Sequence, residues 1–196
     1  MFSGNSYGRG RSGWIVLAAL ALLVVFFLIS LVGSYNRLVA LEEKVNNQKS
    51  QIDNQLKRRN DLIGNLVETV KGYASHEKEV IKSVSDARAK LAGARTVAEQ
   101  EAANAELSGA LSRLLVVVEN YPQLKADATF RQLMDELAGT ENRIAVARKD
   151  YNDAAREYNT AIRRFPTVIV ARLFGFQQVD YFQAKEEEKE APKVKF

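Results

Sequence analysis

Residues 130–165 read FRQLMDELAGTENRIAVARKDYNDAAREYNTAIRRF, and they are the most regular stretch of the chain. Large side chains recur every seven residues along it, and a row of mostly smaller side chains follows three residues later. The large positions are Phe130, Leu137, Ile144, Tyr151, Tyr158 and Phe165, and the second row is Leu133, Thr140, Ala147, Ala154 and Ala161. Because Pro166 cannot continue a helix, the spacing predicts one long helix that ends there and packs closely on a neighbour.

The earlier part of the chain carries the same seven-residue spacing over a similar length. Apolar side chains recur from Leu38, and we expect this first helix to end near Gly72. Two long helices with one spacing can run antiparallel, with facing positions whose residue numbers sum to 203. The predicted facing pairs are Leu38 with Phe165, Val45 with Tyr158, Ile52 with Tyr151, Arg59 with Ile144, Leu66 with Leu137, and Tyr73 with Phe130.

Two shorter helices are predicted between the long ones. Ser75 is the candidate cap of the second helix. Thr96 and Glu99 form a capping-box pattern at the start of the third, which must end before Pro122. A short connection then leads to Asp127, the predicted cap of the fourth helix. The expected fold is therefore all-α, with an elongated antiparallel four-helix bundle.

An apolar run precedes the bundle. From Trp14 to Val32 the chain reads WIVLAALALLVVFFLISLV, which is nineteen residues without a charge. In a helix this run is ~28 Å long, close to the thickness of the bilayer hydrocarbon core. It predicts an uncleaved single transmembrane helix, with a cleaved signal peptide as the alternative. The predicted domains are a short basic tail (1–13), the anchor (14–33), the bundle (34–182) and a charged flexible tail (183–196).

The composition excludes several classes of function. The chain has no Cys and one His, which excludes disulfides, thiolate metal sites and clusters of His ligands. The net charge of +4 is too small for a nucleic-acid-binding surface. No small-molecule substrate is evident. We therefore assign no catalytic, cofactor-binding or metal-binding residue, and we expect the protein not to be an enzyme.

Two charged features each allow a functional and a simpler structural interpretation. His76 could be a metal ligand or an acid–base group, but a solvated turn residue is the simpler expectation. Arg59 interrupts an apolar seam, so it could set the helix register or be a buried functional charge. More simply, its stem packs while its head reaches Glu141 or solvent. The basic run Lys57–Arg58–Arg59 is expected to be a solvated face.

Three Tyr–Asn pairs are a further candidate for recognition. A stripe of such pairs could bind a partner, but tyrosines more simply fill the core and leave their hydroxyls at its rim. The pairs are Tyr35–Asn36, Tyr151–Asn152 and Tyr158–Asn159.

Several long motifs occur in one order along the chain. They are YNRLVALEEKV after the apolar run, RRNDLIGNLVETVKGYASHEKEV, NYPQLKA, and LAGTENRIAVARKDYNDAAREYNTAIRRFPTVIVARLFGF. In these motifs the chain resembles the LemA family of bacterial membrane proteins, from the anchor to about Phe182. The resemblance implies an N-terminally anchored helical bundle associated with bacterial membranes, magnetosome membranes among them. It implies no activity and no site residues.

These observations favour a membrane-anchored interaction or scaffold module, with the bilayer bound through Trp14 to Val32. The other partner is expected to be another membrane protein or a second copy. A membrane-remodelling protein and an enzyme with carboxylate or lysine chemistry are the alternatives. The short basic tail favours the bacterial cytoplasmic membrane with the bundle outside, although basic residues flank the span on both sides. The apolar segment Thr167 to Phe182 is expected to cover the bundle or dip into the membrane interface.

Overall fold

The structure is a computed structural model that describes residues 9–183, so the predicted tails (1–13 and 183–196) lie largely outside the described residues. Within that range the chain is helical, without strands, which confirms the all-α prediction. The helices are α1 (Arg9–Tyr73), α2 (Lys78–Gly93), α3 (Val97–Val118), α4 (Pro122–Ala126), α5 (Ala128–Arg163) and α6 (Thr167–Phe174). They divide into two compact units, which in the described range are residues 9–43 with 157–178 and residues 44–156 with 179–183.

The predicted anchor and the predicted first bundle helix are parts of the same element, α1. This helix is 65 residues long, and no proline interrupts it. An 18-residue window near its N-terminus has a mean hydropathy of 3.3, with none of the window buried. By length and composition this part of α1 can cross a membrane. The prediction of one apolar N-terminal helix that is long enough to cross a membrane is therefore confirmed.

The unit of residues 44–156 and 179–183, which we call the bundle unit, contains the C-terminal part of α1, then α2, α3 and α4, and most of α5. The C-terminal part of α1 and α5 run antiparallel in it, since Arg59 meets Glu141 while Tyr73 meets Asp127. The numbers of each pair sum to 200, within one helical turn of the predicted 203. The core is largely apolar and includes Ile52, Ile63, Leu66, Val70, Val84, Leu107, Leu114, Leu137 and Ile144. Burial of such side chains is the main stabilising term of the unit.

Two of the three predicted helix caps are present in the bundle unit. The Thr96 hydroxyl accepts a hydrogen bond from the Glu99 N–H at 3.2 Å, and the Glu99 carboxylate accepts from the Thr96 N–H at 3.0 Å. The Asp127 carboxylate accepts from the N–H of Phe130 at 2.9 Å. Ser75 was predicted wrongly as a cap. A turn follows the end of α1, and α2 begins three residues later than Ser75, with Glu77 at the cap position.

Two other details differ from the sequence prediction in this unit. The connection before α5 is itself a short helix, α4, in which Leu124 is fully buried and Pro122 supplies a pre-organised first residue. Tyr73, predicted to lie in the core, is 43% exposed. It is the last residue of α1, and its hydroxyl donates to the Asp127 carboxylate at 3.0 Å.

The other unit, residues 9–43 with 157–178, contains the apolar part of α1, the end of α5, and α6. The predicted core position Phe165 is wrong, because Phe165 is 77% exposed and α5 ends at Arg163. A residue before proline is pushed out of the α region, so the chain leaves the helix before Phe165 can join the apolar stripe. Its predicted pairing with Leu38 is therefore wrong as well. After α6, Gly175 adopts a positive φ of 77°, which ends the helix.

Candidate functional site

The bundle unit contains a buried charge, Arg59, in a largely apolar core. Its side chain is only 6% exposed. The guanidinium donates to the Asn104 Oδ1 atom and, at 3.0 Å, to the hydroxyl of Ser108. One of its nitrogens also lies 3.3 Å from a carboxylate oxygen of Glu141. Arg59 on α1 is thus bound to α3 and α5 at one level of the bundle, and we call these four residues the polar layer.

Burial lowers the pKa of Arg59 from its ordinary value, and this is the largest influence on it. The carboxylate of Glu141 acts in the opposite direction, while the positive charge of Arg148 lowers the pKa further. Guanidinium groups stay protonated in proteins, so the charge must be satisfied by hydrogen bonds rather than removed. The expectation that the head of Arg59 reaches Glu141 is confirmed, but the head does not reach solvent.

Sequence reasoning did not identify Asn104 and Ser108 as partners of Arg59. A signal was present, because polar residues occur every four positions along the core-facing side of α3. Gln100 and Asn104 are both buried, and Ser108 is half-buried. The side-chain amide of Gln100 donates to the carboxylate of Asp53 at 2.8 Å. A polar row of this kind facing a buried arginine indicates an internal hydrogen-bond network.

A groove of about 600 Å³ lies beside the polar layer, between α5 and residues 181–183. Arg148 lines it, and the centre of its guanidinium lies 5.4 Å from the centroid of the Phe182 ring. The Nε and one terminal nitrogen of Arg148 are buried and have no hydrogen-bond partner within the described part of the chain. Such unpaired donors are costly, so they mark a position where an acceptor would bind well. Other lining residues are Asn142, Ala145, Lys149, Asp153, Arg156 and Tyr181.

Asn152, of the Tyr–Asn pair at 151–152, lines this groove. Tyr151 is buried and donates its hydroxyl to the carbonyl of Asp180 at 2.9 Å. Burial, followed by the charge of Asp180, raises the pKa of Tyr151. The side-chain amide of Asn152 binds the backbone of Phe182. This pair therefore holds the chain that follows α6, with the tyrosine in the core as the simpler interpretation had it.

The other two Tyr–Asn pairs lie in the unit that contains the apolar part of α1. Tyr35 is 38% exposed, and its ring centroid lies 4.9 Å from that of Phe174 and 5.8 Å from that of Phe176. Tyr158 is fully buried, and burial raises its pKa, with a smaller contribution from Glu42. Only the pair at 151–152 lies in the bundle unit, so the three pairs do not form one exposed stripe there.

The remaining candidates lie on the surface of the bundle unit. His76 is exposed in the turn between α1 and α2. In the run Lys57–Arg58–Arg59, the first two residues are exposed while Arg59 is buried, so the prediction of one solvated face fails at its last residue. Arg58 reaches Glu136 at 3.7 Å, a weak exposed pair. Between residues 9 and 183 no group of three or more His, Asp or Glu side chains is arranged to hold a metal ion.

An apolar N-terminal helix that continues into an all-α bundle defines the class, a membrane-anchored helical-bundle protein. The model of the LemA family matches residues 48–196, and the chain belongs to this family. It is 30% identical to the magnetosome proteins MamQ 1 and MamQ 2 of Paramagnetospirillum magneticum, over 91% of this chain and 75% of each relative. It is 27% identical to the protein LemA of Metamycoplasma hominis, over 85% of this chain and 80% of that relative. The resemblance found in the motifs is thus confirmed.

Proposed function

We propose that this protein is a single-pass protein of the bacterial cytoplasmic membrane whose bundle is an interaction or scaffold module, without catalysis. The observation that carries this proposal is Arg148, which lines the groove and has a buried Nε and one buried terminal nitrogen without a partner within residues 9–183. A carboxylate or carbonyl group from a bound partner would satisfy them, and hydrogen bonds to charged groups are the stronger kind. Within the polar layer, in contrast, the Arg59 guanidinium already donates to Asn104 and Ser108.

The groove supports a protein partner better than an apolar small molecule. Its lining is largely polar and carries charges of both signs, with Lys149 and Arg156 alongside Asp153. Small-molecule sites are mostly apolar, whereas the rims of protein interfaces are polar and charged. We therefore infer that the partner is another membrane protein or a second copy of this chain. Anchoring in one membrane would raise the effective concentration of such a partner.

We place the bundle on the extracytoplasmic side of the membrane. The support is the short N-terminal tail with Arg9 and Arg11, which has the form of a signal-anchor flank. The chain has no Cys, so Val116→Cys on exposed α3 gives a single reporter thiol. We expect a membrane-impermeant maleimide to label it in intact spheroplasts. Labelling only after lysis would contradict this orientation.

Membrane organisation or remodelling is the second candidate. The exposed apolar side chains just before α6 and along it favour this candidate, since Phe165 is 77% and Leu173 70% exposed. Large exposed apolar residues grouped on one short segment are typical of surfaces that contact lipid or protein.

Cross-linking in native membranes followed by purification of tagged full-length protein separates these candidates. We expect a discrete protein, or a second differently tagged copy, to co-purify. Arg148→Gln should reduce its recovery by about 10-fold, equivalent to ~1.4 kcal/mol. Arg131→Gln, on the exposed surface of α5, is the matched control and should leave recovery unchanged.

Equal recovery with both variants would exclude the Arg148 groove as the binding surface. Failure to recover any partner, together with deformation of liposomes by the purified protein, would support remodelling instead.

A further inference from the structure

Helix α6 has two apolar faces, and only one of them is covered. Thr167, Val170 and Ala171 are buried, at the spacing of one helix face. Ile169 and Leu173, four residues apart, are 42% and 70% exposed. Phe165, just before α6, and Phe174, its last residue, are 77% and 58% exposed. We call Phe165, Ile169, Leu173 and Phe174 the outer face of α6.

The C-terminal end of α6 lies beside a defined point of α1. The rings of Phe174 and Phe176 both pack on the ring of Tyr35, with centroid distances of 4.9 and 5.8 Å. Tyr35 follows the last residue of the apolar run, Val32, by three positions, or ~4.5 Å of helix. Tyrosine is a residue that settles at the membrane–water boundary. The C-terminal end of α6 is therefore at the level where the membrane-crossing part of α1 ends.

The charges next to the outer face suit a lipid surface. Arg163 and Arg164 precede α6, Arg172 lies within it, and Arg37 follows Tyr35 on α1. All four side chains are exposed. In the described part of α6 and the two residues before it, no acidic residue is present. Apolar side chains flanked by arginine are the pattern of helices that lie in the interface and bind anionic headgroups.

We infer that the outer face of α6 is a second membrane contact, inserted into the headgroup region of the same bilayer that α1 crosses. This inference rests on the membrane anchoring proposed above. The occupant of the outer face is the lipid surface itself, because the face continues from the membrane-crossing segment through Tyr35. Insertion places the side chains of Leu173 and Phe174 ~5–10 Å below the headgroup surface, the depth typical of interfacial helices.

Depth-dependent quenching in full-length protein tests this inference directly. The chain has no native Cys, so Leu173→Cys carries a single environment-sensitive fluorophore. The protein is reconstituted into vesicles of phosphatidylcholine and phosphatidylglycerol. Leu23→Cys, within the apolar run, is the control for anchoring, and Val116→Cys, equally exposed on α3, is the control for a water-facing position. Lipids with a shallow or a deep quencher are compared with aqueous iodide.

We expect shallow lipid quencher to quench the label at Leu173→Cys more strongly than deep quencher or iodide does. The label at Leu23→Cys should respond most to the deep quencher, and the label at Val116→Cys most to iodide. Replacing phosphatidylglycerol with phosphatidylcholine should weaken the shallow quenching at position 173, and Arg172→Gln should weaken its dependence on phosphatidylglycerol.

Two results would overturn the inference while leaving the anchor intact. If Leu23→Cys responds to lipid quencher but Leu173→Cys responds to iodide as Val116→Cys does, α6 does not enter the interface. If Leu173→Cys is shielded from both lipid quencher and iodide, another protein or a second copy covers the outer face. Absence of lipid quenching at Leu23→Cys would instead contradict the anchoring itself.

Discussion

Asn152 and Phe182 are joined by two reciprocal hydrogen bonds. The side-chain amide of Asn152 donates to the Phe182 carbonyl at 2.8 Å, and the Phe182 N–H donates back to the Asn152 Oδ1 atom at 2.9 Å. One side chain thus satisfies both backbone groups of a residue thirty positions later. The Phe182 ring is buried and meets Tyr151 edge to face, with centroids 5.2 Å apart. These contacts hold residues 179–183 in the bundle unit.

Replacing Asn152 should weaken the attachment of residues 179–183 to the bundle unit. Asn152→Leu keeps the size of the side chain but leaves the two backbone groups of Phe182 without partners, which costs ~1–3 kcal/mol in the free energy of unfolding. Denaturant unfolding of the detergent-solubilised full-length protein measures the loss, and limited proteolysis should cut faster at Tyr181. Asn142→Leu, exposed on the same helix, should change stability by less than ~0.5 kcal/mol. An equal loss of stability in both variants would contradict a stabilising role for the hydrogen bonds between Asn152 and Phe182.

Because Arg59 belongs to the polar layer, its replacement should destabilise the protein more than replacement of its exposed neighbour Arg58. Arg59→Met leaves Asn104 without its charged partner and should lower the free energy of unfolding by ~1.5–3 kcal/mol. Adding Asn104→Leu should recover part of the loss, because an apolar pair leaves fewer buried groups unsatisfied. Arg58→Met is the control, since its side chain is 51% exposed and its ion pair is weak. If Arg58→Met lowers the free energy of unfolding as much as Arg59→Met does, burial of Arg59 is not the cause of the loss.

Disulfide formation tests the antiparallel packing of α1 and α5 in the bundle unit. Leu66→Cys with Leu137→Cys should form an intramolecular bond under mild oxidation, since closure needs Cα atoms within ~7 Å. The control is Leu66→Cys with Tyr151→Cys, fourteen residues or ~21 Å further along α5. Non-reducing electrophoresis distinguishes the products. A bond in the control pair, or dimers alone from the first pair, would contradict the packing.

The capping box of α3 predicts a defined pH dependence. Hydrogen bonds from the Arg95 and Thr96 N–H groups hold the pKa of Glu99 below its ordinary value of 4.5. A lowered folded-state pKa contributes stability that is present above pH 4.5 and is lost as the pH falls through the lowered value. Glu99→Gln removes the titration, so the variant should melt below the wild type at neutral pH. Their melting temperatures should converge in acid, and a constant difference across pH would contradict this.

The apolar run should be necessary for membrane retention. Wild-type protein should remain in the pellet after alkaline carbonate washing, because a span of this length stays in the hydrocarbon core. Leu23→Arg combined with Phe26→Arg should release the protein or block insertion, at ~2.5 kcal/mol or more for each charge. Val116→Arg with Val146→Arg, both on exposed apolar positions outside the run, is the matched control. Recovery of the wild type only as a shortened soluble form would contradict an uncleaved anchor.

Local signals were sufficient for most features that depend on residues close together in the chain. The apolar run, the seven-residue spacing and the Thr96–Glu99 pattern each predicted an element that is present. The spacing failed at Phe165, where the proline that follows changes the backbone, and the cap signal failed at Ser75, where the turn is longer than expected.

The sequence by itself determined the helices and their apolar faces, because helix periodicity and capping act over a few residues. Only the tertiary structure decided which groups meet across the chain. Arg59 binds Asn104 and Ser108, more than forty positions away, and Phe182 is placed in the bundle unit by Asn152. No local pattern specifies such pairings, because they depend on how the helices are rotated and placed against one another. The unpaired donors of Arg148 and the exposed outer face of α6 likewise arise only from that packing.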